Sequence, residues 1–525
     1  MIKVSNPFSS VPPLFTDLAK VLLGDIDCSQ NTLEKYSNDG SPFSVRPQTV
    51  IYPKNTTDIK HVISFAREYS MPITTRGSGT AKTGGALGEG IVIDMKRYFT
   101  QIRQVNMMNH TITVDAGVTV KELREQLRGW KMEIPILTAQ DNDSTIGALI
   151  STKSTTPASF HFGTIREWVE GLTVVVDSGE EHKISDGITP RGRLIGIYQS
   201  LFPVLTKFGP ALRAAQPESS DDATGYCVWN TSVGPRQLLD QLVGSEGTLG
   251  IITSVTFRIA PLRTFTRTVC VSVTNKNEIA HIITTAKESQ ASQIFMYDGT
   301  FMELAERYHL HATPTFPNAT YVIVITFFEN DKEKISVAVN SFIKKSLVQE
   351  NAIFCYDDKQ FIERIHNPDF IFSLLNSYTQ GTHVPITVAD GIIVPLDKYA
   401  SILEDIENYL FTTGKLYTIL GNAGSGHISV ITLFDPRSST YENDLDVYTE
   451  FIFTLVKKYR GGISGIGGEG LGRTPYVPFI YNEATIVIFN EIKKVWDPLL
   501  IFNPGKKIGT TITYLHNHLL KKDVR

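Results

Sequence analysis

The chain has 525 residues, which suits two or three domains and allows a large buried core. Its 50 Lys and Arg against 54 Asp and Glu leave a net charge of −4, so no basic excess indicates a nucleic-acid partner. The four cysteines form no C-x-x-C pair, which argues against a disulfide framework, a zinc site or an iron–sulfur cluster. Residues 1–13 lack the apolar core of a signal peptide, and the best apolar run, 321–328, is too short for a transmembrane segment. We therefore expect a cytoplasmic protein. A peripheral contact with a membrane is an alternative that the sequence leaves open.

The first patterned elements alternate strand and helix. Residues Thr49–Tyr52 have the composition of a strand, and residues 57–70 place four apolar side chains at helical spacing. Residues 111–114 predict another strand, and Thr119 with Glu122 forms a capping box for the helix that follows. Such alternation is typical of α/β organisation.

A glycine-rich loop lies between these two pairs, in residues 72–95. Six glycines fall within fourteen positions and an apolar run follows, so the backbone is expected to turn tightly and then enter a strand. Main-chain N–H groups of such a loop approach a ligand closely and favour anions, and Arg76 adds a positive charge. Phosphate is the expected ligand, although an ordinary glycine-rich hairpin connection would have a similar composition.

Two other phosphate-binding loops are excluded by the residues that follow. A P-loop needs Gly-Lys-Ser/Thr at the start of a helix, and a Rossmann loop needs a third glycine where Lys82 stands. Residues 83–90 contain too many glycines to begin a helix, and residues 91–93 have strand composition. The loop therefore belongs to neither of these two classes.

Residues 72–80, PITTRGSGT, resemble the pyrophosphate loop of the vanillyl-alcohol-oxidase/PCMH-type FAD enzymes, and specifically the branch of D-lactate dehydrogenases and glycolate oxidase flavoprotein subunits. Tyr36, Ser37 and Asp39 also match the N-terminal pattern of that family. Family members that attach FAD covalently often have a histidine in or near this loop, where this chain has Thr80. The resemblance therefore implies non-covalent FAD.

Two more segments extend the resemblance. Residues 144–148, STIGA, are similar to a family turn that approaches the isoalloxazine ring, but residues 153–156 read KSTT where Asn-Ala-Gly-Gly is usual. Residues 244–253, GSEGTLGIIT, match the family almost letter for letter, so Glu246 is expected to contact the cofactor, although it would also suit a turn cap. The flavin contacts implied by the resemblance are Arg76, Gly77, Ser78, Gly79, Thr80, Gly84, Ser144, Thr145, Gly147, Ala148, Glu246, Gly250, Ile251 and Asn503.

The pattern changes after residue 261 to repeated strand–helix–strand units without a glycine-rich site. These units predict an α+β cap over an antiparallel sheet, where substrate specificity is expected to reside. The predicted strands are 268–273, 294–297, 321–328 and 352–356, and the predicted helices are 278–289, 301–309 and 332–345.

The implied fold class is α+β. A two-subdomain PCMH-type FAD-binding domain is expected over residues 1–261, with its core at about 43–261. A cap or substrate domain of the FAD-linked oxidase C-terminal type is expected over 262–495, and a C-terminal segment, 496–525, is expected to return to the FAD domain.

Two C-terminal motifs keep the glycines of the family but not its chemical groups. Family dehydrogenases carry Gly-His-x-Gly-Asp-Gly-Asn-x-His, whose histidines bind a divalent metal, and Ser-Gly-Glu-His-Gly, which supplies another ligand and a base. Here Asn422 and Ser429 stand in place of the histidines, and residues 466–467 read Ile-Gly in place of Glu-His. An amide, a hydroxyl and an isoleucine cannot reproduce such a site, so no metal is predicted.

His427, Glu469 and Asn422 remain as candidate catalytic residues. His427 and Glu469 are near enough in sequence to these motifs to supply acid or base groups. A hydrogen-bonded structural histidine and an exposed loop glutamate are the alternatives. The glycine pattern at 465–470 also satisfies the bare dinucleotide motif, but Pro475 follows before an adequate helix can form.

The leading hypothesis is an FAD-dependent oxidoreductase that acts on a CH–OH group and resembles D-2-hydroxyacid dehydrogenases. Its partners would be a small-molecule substrate and an unidentified electron acceptor. Because the family's metal ligands are substituted, metal independence and an altered substrate are expected. A flavin-binding, non-catalytic subunit or degenerate paralogue in an electron-transfer complex is the alternative, and a pure binding module is disfavoured by the intact glycine loop.

Overall fold

The N-terminal half of the chain is built from two main β-sheets with helices packed on them. The computed structural model describes residues 11–520 without 139–140, 220, 230–233, 308–315, 317, 350–351, 357–373, 376–377 and 379–381. The strands of this half are β1 (Asp25–Asp27), β2 (Thr49–Tyr52), β3 (Ile73–Arg76), β4 (Ile91–Asp94), β5 (Ile102–Asn106), β6 (Thr111–Asp115), β7 (Met132–Glu133), β8 (Val169–Val175), β9 (Glu181–Ser185), β10 (Ile251–Arg258) and β11 (Ala260–Pro261). The helices are α1 (Thr16–Val21), α2 (Gln30–Tyr36), α3 (Thr56–Glu68), α4 (Val120–Gly129), α5 (Ile146–Thr152), α6 (Ser159–Phe162), α7 (Ile165–Trp168), α8 (Arg193–Ala215) and α9 (Pro235–Leu242).

The two main sheets differ in strand direction. The first has the order β1-β2-β4-β3, in which β2 and β3 are both parallel to β4. The second has the order β5-β6-β10-β8-β9 and is antiparallel. Ile59, Val62 and Ile63 of α3 share a buried cluster with Ile91 and Ile93 of β4, so the apolar face of this helix covers the first sheet.

Several single elements of this half are confirmed. β2 has the predicted bounds, and α3 forms over Thr56–Glu68, where a helix over 57–70 is predicted. The capping box also forms, because Thr119 Oγ1 accepts the Glu122 N–H at 3.3 Å and the Glu122 carboxylate accepts the Thr119 N–H at 2.8 Å. The turn predicted at 144–148 is wrong in one respect: Thr145 is the N-cap of α5, so the segment begins a helix. α8, whose interior contains Pro203 and Pro210, is not among the predicted helices.

The second half forms the expected cap, an antiparallel sheet with helices. The strands of this half are β12 (Phe265–Val273), β13 (Gln293–Asp298), β14 (Tyr321–Glu329), β15 (Ile353–Tyr356), β16 (Val384–Ile386), β17 (Ile392–Ile393), β18 (Tyr417–Gly421) and β19 (His427–Phe434). The strand order is β15-β12-β14-β13-β18-β19-β16, and β17 pairs with β19. The predicted helix at 301–309 is present as far as Arg307, and 308–309 lie outside the described residues. The helices of this half are α10 (Ile279–Glu288), α11 (Gly299–Arg307), α12 (Lys332–Ser346), α13 (Tyr399–Thr413), α14 (Tyr441–Lys458), α15 (Gly470–Arg473) and α16 (Val477–Ile480).

The C-terminal segment runs back onto the first sheet. After α17 (Glu483–Trp496), the Ile73 N–H of β3 donates to the Ile501 carbonyl at 2.7 Å, and the Asn503 N–H donates to the Ile73 carbonyl at 2.7 Å. A last helix, α18 (Ile512–Asn517), follows. None of the described helices is both long enough and apolar enough to cross a membrane.

Candidate functional site

A cavity of about 590 Å³ lies where loops of the two N-terminal sheets meet the cap. Its size is within the range of small-molecule and cofactor sites. One wall comes from the glycine-rich loop between β3 and β4, a second from the start of α5, and a third from the loop before β10. The cap contributes Asp390, Ile466 and Gly467.

The glycine-rich loop packs too closely for side chains at several positions, among them Gly77 and Gly79. Gly79 has φ +73°, and a Cβ there would lie 2.2 Å from Nη2 of Arg76. A Cβ on Gly77 would lie 2.1 Å from Oγ1 of Thr145, the N-cap of α5. The loop therefore presents its main chain to the cavity, as an anion site requires.

The Arg76 side chain supports the loop from behind. Its guanidinium donates to the carbonyls of Tyr36, at 3.2 Å, and Asn38, at 2.7 Å, and lies 4.9 Å from the centre of the Tyr36 ring. Burial lowers the pKa of Arg76, and the nearby Asp39 carboxylate opposes this. Arg76 thus supplies positive charge beside the cavity while it anchors residues 36–39.

Ten of the fourteen flavin contacts implied by the sequence line this cavity: Arg76, Gly77, Gly79, Thr80, Ser144, Thr145, Gly147, Ala148, Glu246 and Gly250. The other four lie directly behind its wall. Ser78 donates to the Asp143 carbonyl, Gly84 approaches Phe43 and Leu471, and Ile251 is buried in the core under the first sheet. Asn503 contacts the glycine-rich loop itself, through bonds described next.

Glu246 and Asn503 join the cavity-lining loops of the N-terminal half to other parts of the chain. The Glu246 carboxylate accepts the N–H groups of Glu469, at 2.6 Å, and Gly470, at 2.9 Å. The Asn503 amide donates to the carbonyls of Glu246, at 2.7 Å, and Gly85, at 3.2 Å. The side chain of Glu246 therefore holds a cap loop against the cavity, and Asn503 holds the glycine-rich loop against the C-terminal segment.

Glu469 is fully buried in an ion pair and is not an exposed loop residue. Its carboxylate accepts the Gly225 N–H at 2.5 Å and lies 2.5 Å from Nζ of Lys507. Burial raises the pKa of Glu469, and the Lys507 ammonium opposes this. Lys507 also donates to the Ala223 carbonyl at 2.7 Å, so the pair binds three segments together.

The substituted metal motif lies on the cap side, in and before β19. Asn422, His427 and Ser429 are all buried, and none of them lines the cavity. Ser429 Oγ accepts the Gly391 N–H at 3.3 Å. Among the residues that the structure describes, no group of three or more histidine, cysteine, aspartate or glutamate side chains is placed to hold a metal ion.

Three buried cations near the site were not singled out by the sequence. Lys507 and Arg473 hold the cap loop, and Lys153 ends α5 in the left-handed conformation with φ +48°. Arg473 donates to backbone carbonyls of Val388, at 2.9 Å, and Ile466, at 2.7 Å. The spacing of residues in the sequence does not indicate any of these three as a site residue. Only Lys153 belongs to a segment already noted, the substituted residues 153–156.

The described residues fit FAD. Main chain from closely packed glycines faces the cavity beside the positive charge of Arg76, which suits a pyrophosphate. Hydroxyl groups of Thr80, Ser144 and Thr145 line the same side and suit the polar parts of the cofactor. The cap residues close the other end, where a flavin ring and a substrate would meet.

Comparison with known families and structures agrees with this assignment. The FAD binding domain family matches residues 47–185, and the C-terminal domain of FAD linked oxidases matches residues 262–507. In the solved structure of 4-ethylphenol oxidase from Gulosibacter chungangensis, the fold is similar with a TM-score of 0.70 at 14% identity, covering 95% of this chain and 97% of that one.

Two curated relatives are similar along most of this chain. D-2-hydroxyglutarate dehydrogenase of Pantoea ananatis is 24% identical over 93% of this chain, which spans 50% of that protein. Glycolate oxidase subunit GlcD of Bacillus subtilis is 24% identical over 90% of this chain and 91% of its own length. The chain thus spans about half the length of the curated D-2-hydroxyglutarate dehydrogenases that it matches first.

The first prediction concerns the glycine-rich loop. Gly79→Ala should lower the FAD content of the purified protein several-fold, because the added methyl group displaces the Arg76 guanidinium from beneath the loop. Gly187→Ala is the matched control, since Gly187 has a similar φ of +79° but no atom within 4 Å of the added Cβ. The measurement is the ratio of flavin to protein absorbance. Equal ratios in the two variants would contradict the placement of the cofactor.

The second prediction is that FAD is bound non-covalently. No histidine, cysteine or tyrosine is among the described residues that line the cavity, and Thr80 offers only a hydroxyl group. Acid or heat precipitation should therefore release the flavin into the supernatant. Flavin fluorescence that stays with the denatured chain on a gel would refute it.

The third prediction concerns the buried ion pair. Lys507→Met should destabilise the protein by about 3–5 kcal/mol, because it leaves the Glu469 carboxylate buried without its cation. Combining it with Glu469→Gln should recover part of this loss, since the carboxylate nearest the lost ammonium is then neutral and only Glu246, 3.6 Å from Nζ of Lys507, stays charged. The measurement is the urea midpoint, with Lys494→Met, at an exposed lysine of α17, as the control. A double variant less stable than Lys507→Met would contradict the pairing.

Proposed function

The chain belongs to the FAD-linked oxidases, and we propose that it oxidises the CH–OH group of a small hydroxy acid or related alcohol by hydride transfer to FAD. The observation that carries this proposal is the shared cavity. Its FAD-side walls and its cap-side residues Asp390, Ile466 and Gly467 enclose one space, so a substrate bound under the cap would lie against the cofactor. FAD, when bound, supplies the acceptor for the electron pair.

The chain's own residues hold the cap-side wall in place. Arg473 donates to the carbonyls of Ile466 and Asp390, two residues of that wall, and to the Gly468 carbonyl at 3.1 Å. The Glu246 carboxylate accepts the N–H groups of Glu469 and Gly470, the two residues that follow Gly468. Such contacts fix the position of the wall beside the place where the C–H bond would break.

Metal independence is part of the proposal. A divalent ion needs imidazole or carboxylate ligands, whereas the motif positions carry Asn422 and Ser429. Glu469, the nearby carboxylate, is committed to Lys507 and to the Gly225 N–H. Hydrogen-bond donors and acceptors of the protein would then have to manage the charge on the substrate oxygen.

The relatives favour hydroxy acids as the substrate class. Two of their names specify D-2-hydroxyglutarate and glycolate, which share a hydroxyl group beside a carboxylate. The motifs of this chain that replace the family's metal site contain no cation for a carboxylate. We therefore propose a hydroxyl-bearing substrate other than D-lactate, with an electron acceptor that is still to be found.

The fourth prediction tests substrate and metal together. In an anaerobic screen of hydroxy acids, sugars and alcohols, at least one compound should bleach the flavin absorbance. D-lactate should do so about 10-fold more slowly than the best compound, because the substituted motifs offer neither a metal ion nor a cationic side chain to its carboxylate. Exhaustive chelation should leave the rates unchanged. Loss of activity on chelation and its return with zinc or manganese would show that a metal site exists.

The same screen tests the alternative of a non-catalytic flavin subunit. If no compound in the screen reduces the flavin, but dithionite bleaches it normally, the protein carries the cofactor without substrate chemistry. That result would overturn the proposed oxidation and leave the FAD site itself intact.

A further inference from the structure

The cap-side wall of the cavity contains one carboxylate, that of Asp390. Asp390, Ile466 and Gly467 are the described cap residues that line the cavity. Their two segments are joined through the main chain, because the Gly465 N–H donates to the Gly391 carbonyl at 2.8 Å. Asp390 therefore lies close to the substituted positions 466 and 467.

The carboxylate is the polar group that Asp390 presents to the cavity. Its main-chain groups are already bound: the N–H donates to the Thr387 carbonyl at 3.0 Å, and the carbonyl accepts from the Arg473 guanidinium. No group among the described residues donates a hydrogen bond to the carboxylate, and Asp390 is partly exposed. A ligand in the cavity can therefore reach an acceptor that the protein does not use.

Asp390 is the one group of the described lining that both belongs to the cap and can take up a proton. No histidine, cysteine or tyrosine lines the cavity within the described part of the chain. Asp39, Asp141 and Glu246 accept hydrogen bonds from the protein. Asp143 lies in the loop before α5, on the side of the glycine-rich loop.

Open space lies along the same wall. Gly467 has φ +78°, and a Cβ added to it would have no atom within 4 Å. The neighbouring Ile466 adds an aliphatic side chain, and its carbonyl is held by Arg473. The wall thus leaves room for a substrate next to the carboxylate.

We infer that the Asp390 carboxylate accepts the proton of the substrate's hydroxyl group and that its negative charge selects neutral alcohols over hydroxy acids. This inference rests on the proposed function, which places the substrate between this wall and FAD. A carboxylate within hydrogen-bond distance can take the proton as the C–H bond breaks. The same charge repels the carboxylate of a hydroxy acid.

The cations of the lining do not offset this charge at the wall. Among the described lining residues they are Arg76 and Lys82, both from the glycine-rich loop. Arg76 is bound to carbonyls behind that loop, and the Lys82 ammonium lies beside Gly40, where an added Cβ would be 3.3 Å from Nζ. A hydroxy acid bound at Asp390 would therefore meet a carboxylate and no cation of the cap-side wall.

The buried charges behind the wall already balance one another. The cations are Arg473 and Lys507, and the carboxylates are Glu246 and Glu469. Burial lowers the pKa of Arg473, and the charge of Asp390 opposes this more strongly than those of Glu469 and Glu246. Asp390 thus adds a negative charge to a group of four that is otherwise neutral.

The proposed step balances in atoms and electrons. The hydrogen of the C–H bond leaves the carbon with the electron pair and passes to the oxidised FAD. The proton of the O–H bond passes to a carboxylate oxygen of Asp390, and the electron pair of that bond completes the C=O bond of an aldehyde or ketone. The carboxylic acid formed at Asp390 returns its proton to water after the product leaves.

Asp390→Asn tests this role with little change of shape, because the carboxylate makes no hydrogen bond to the described residues that an amide would disturb. Flavin reduction by the best neutral alcohol should slow by about 100-fold, as expected for loss of a general base. FAD content and bleaching by dithionite should stay at the wild-type level. Formate added to Asp390→Ala should restore part of the rate, which a structural role of the side chain would not produce.

Asp397→Asn is the matched control, at an exposed aspartate further along the same cap segment. It should leave the rate unchanged. Equal rates for Asp390→Asn and Asp397→Asn, with the wild type active, would overturn the role of Asp390 while the proposed function stands. A wild type that is reduced faster by a hydroxy acid than by every neutral alcohol would overturn the selectivity.

A second readout needs no turnover. Sulfite is a small anion that adds reversibly to oxidised flavin and bleaches its absorbance. In titrations of the FAD-loaded proteins, Asp390→Asn should bind sulfite about 10-fold more tightly than the wild type, because a negative charge beside the flavin is removed. Equal affinities, or no reaction in either protein, would place the carboxylate away from the flavin and overturn the inference, whatever the substrate screen shows.

Discussion

The buried contact of Glu246, Glu469 and Lys507 is the interaction on which the arrangement of the cavity depends. Glu246 lies in the loop before β10, Glu469 in the loop before α15 and Lys507 in the segment after α17, and all three side chains are almost completely buried. One ammonium lies 2.5 Å and 3.6 Å from the two carboxylates. Removing one partner from such a cluster costs far more than the cluster contributes, because a buried charge is left unpaired. The cluster therefore ties three segments of the chain to one another in the native structure.

This constraint explains why a wall made of loops can be rigid. The residues on the cap side of the cavity belong to no strand, yet Arg473 binds their carbonyls and the Glu246 carboxylate binds the N–H groups that follow. Asn503 adds the same support on the FAD side, through carbonyls of the glycine-rich loop and of Glu246. Buried charged groups that hydrogen-bond to the main chain fix the positions of loops, which apolar packing alone would define less well.

Sequence patterns predict the elements and the cofactor loop better than they predict the contacts between segments. The helix α3, the capping box at Thr119 and the alternation of the cap follow from local periodicity, which operates over a few residues. The approach of Lys153 to Asp222, or of Glu469 to Lys507, depends on the tertiary fold and has no local signature. Glu469 shows the difference, because an exposed loop position is a reasonable expectation for a glutamate flanked by glycines.

The charges around His427 give a physical reason for a carboxylate at that position. Lys153 and Lys287 both interact electrostatically with Asp221, and both would oppose a further positive charge nearby. Lys153 is buried and Lys287 is half-buried, so the ionised Asp221 carboxylate, 3.5 Å from Nε2 of His427, balances positive charge that comes from two different elements.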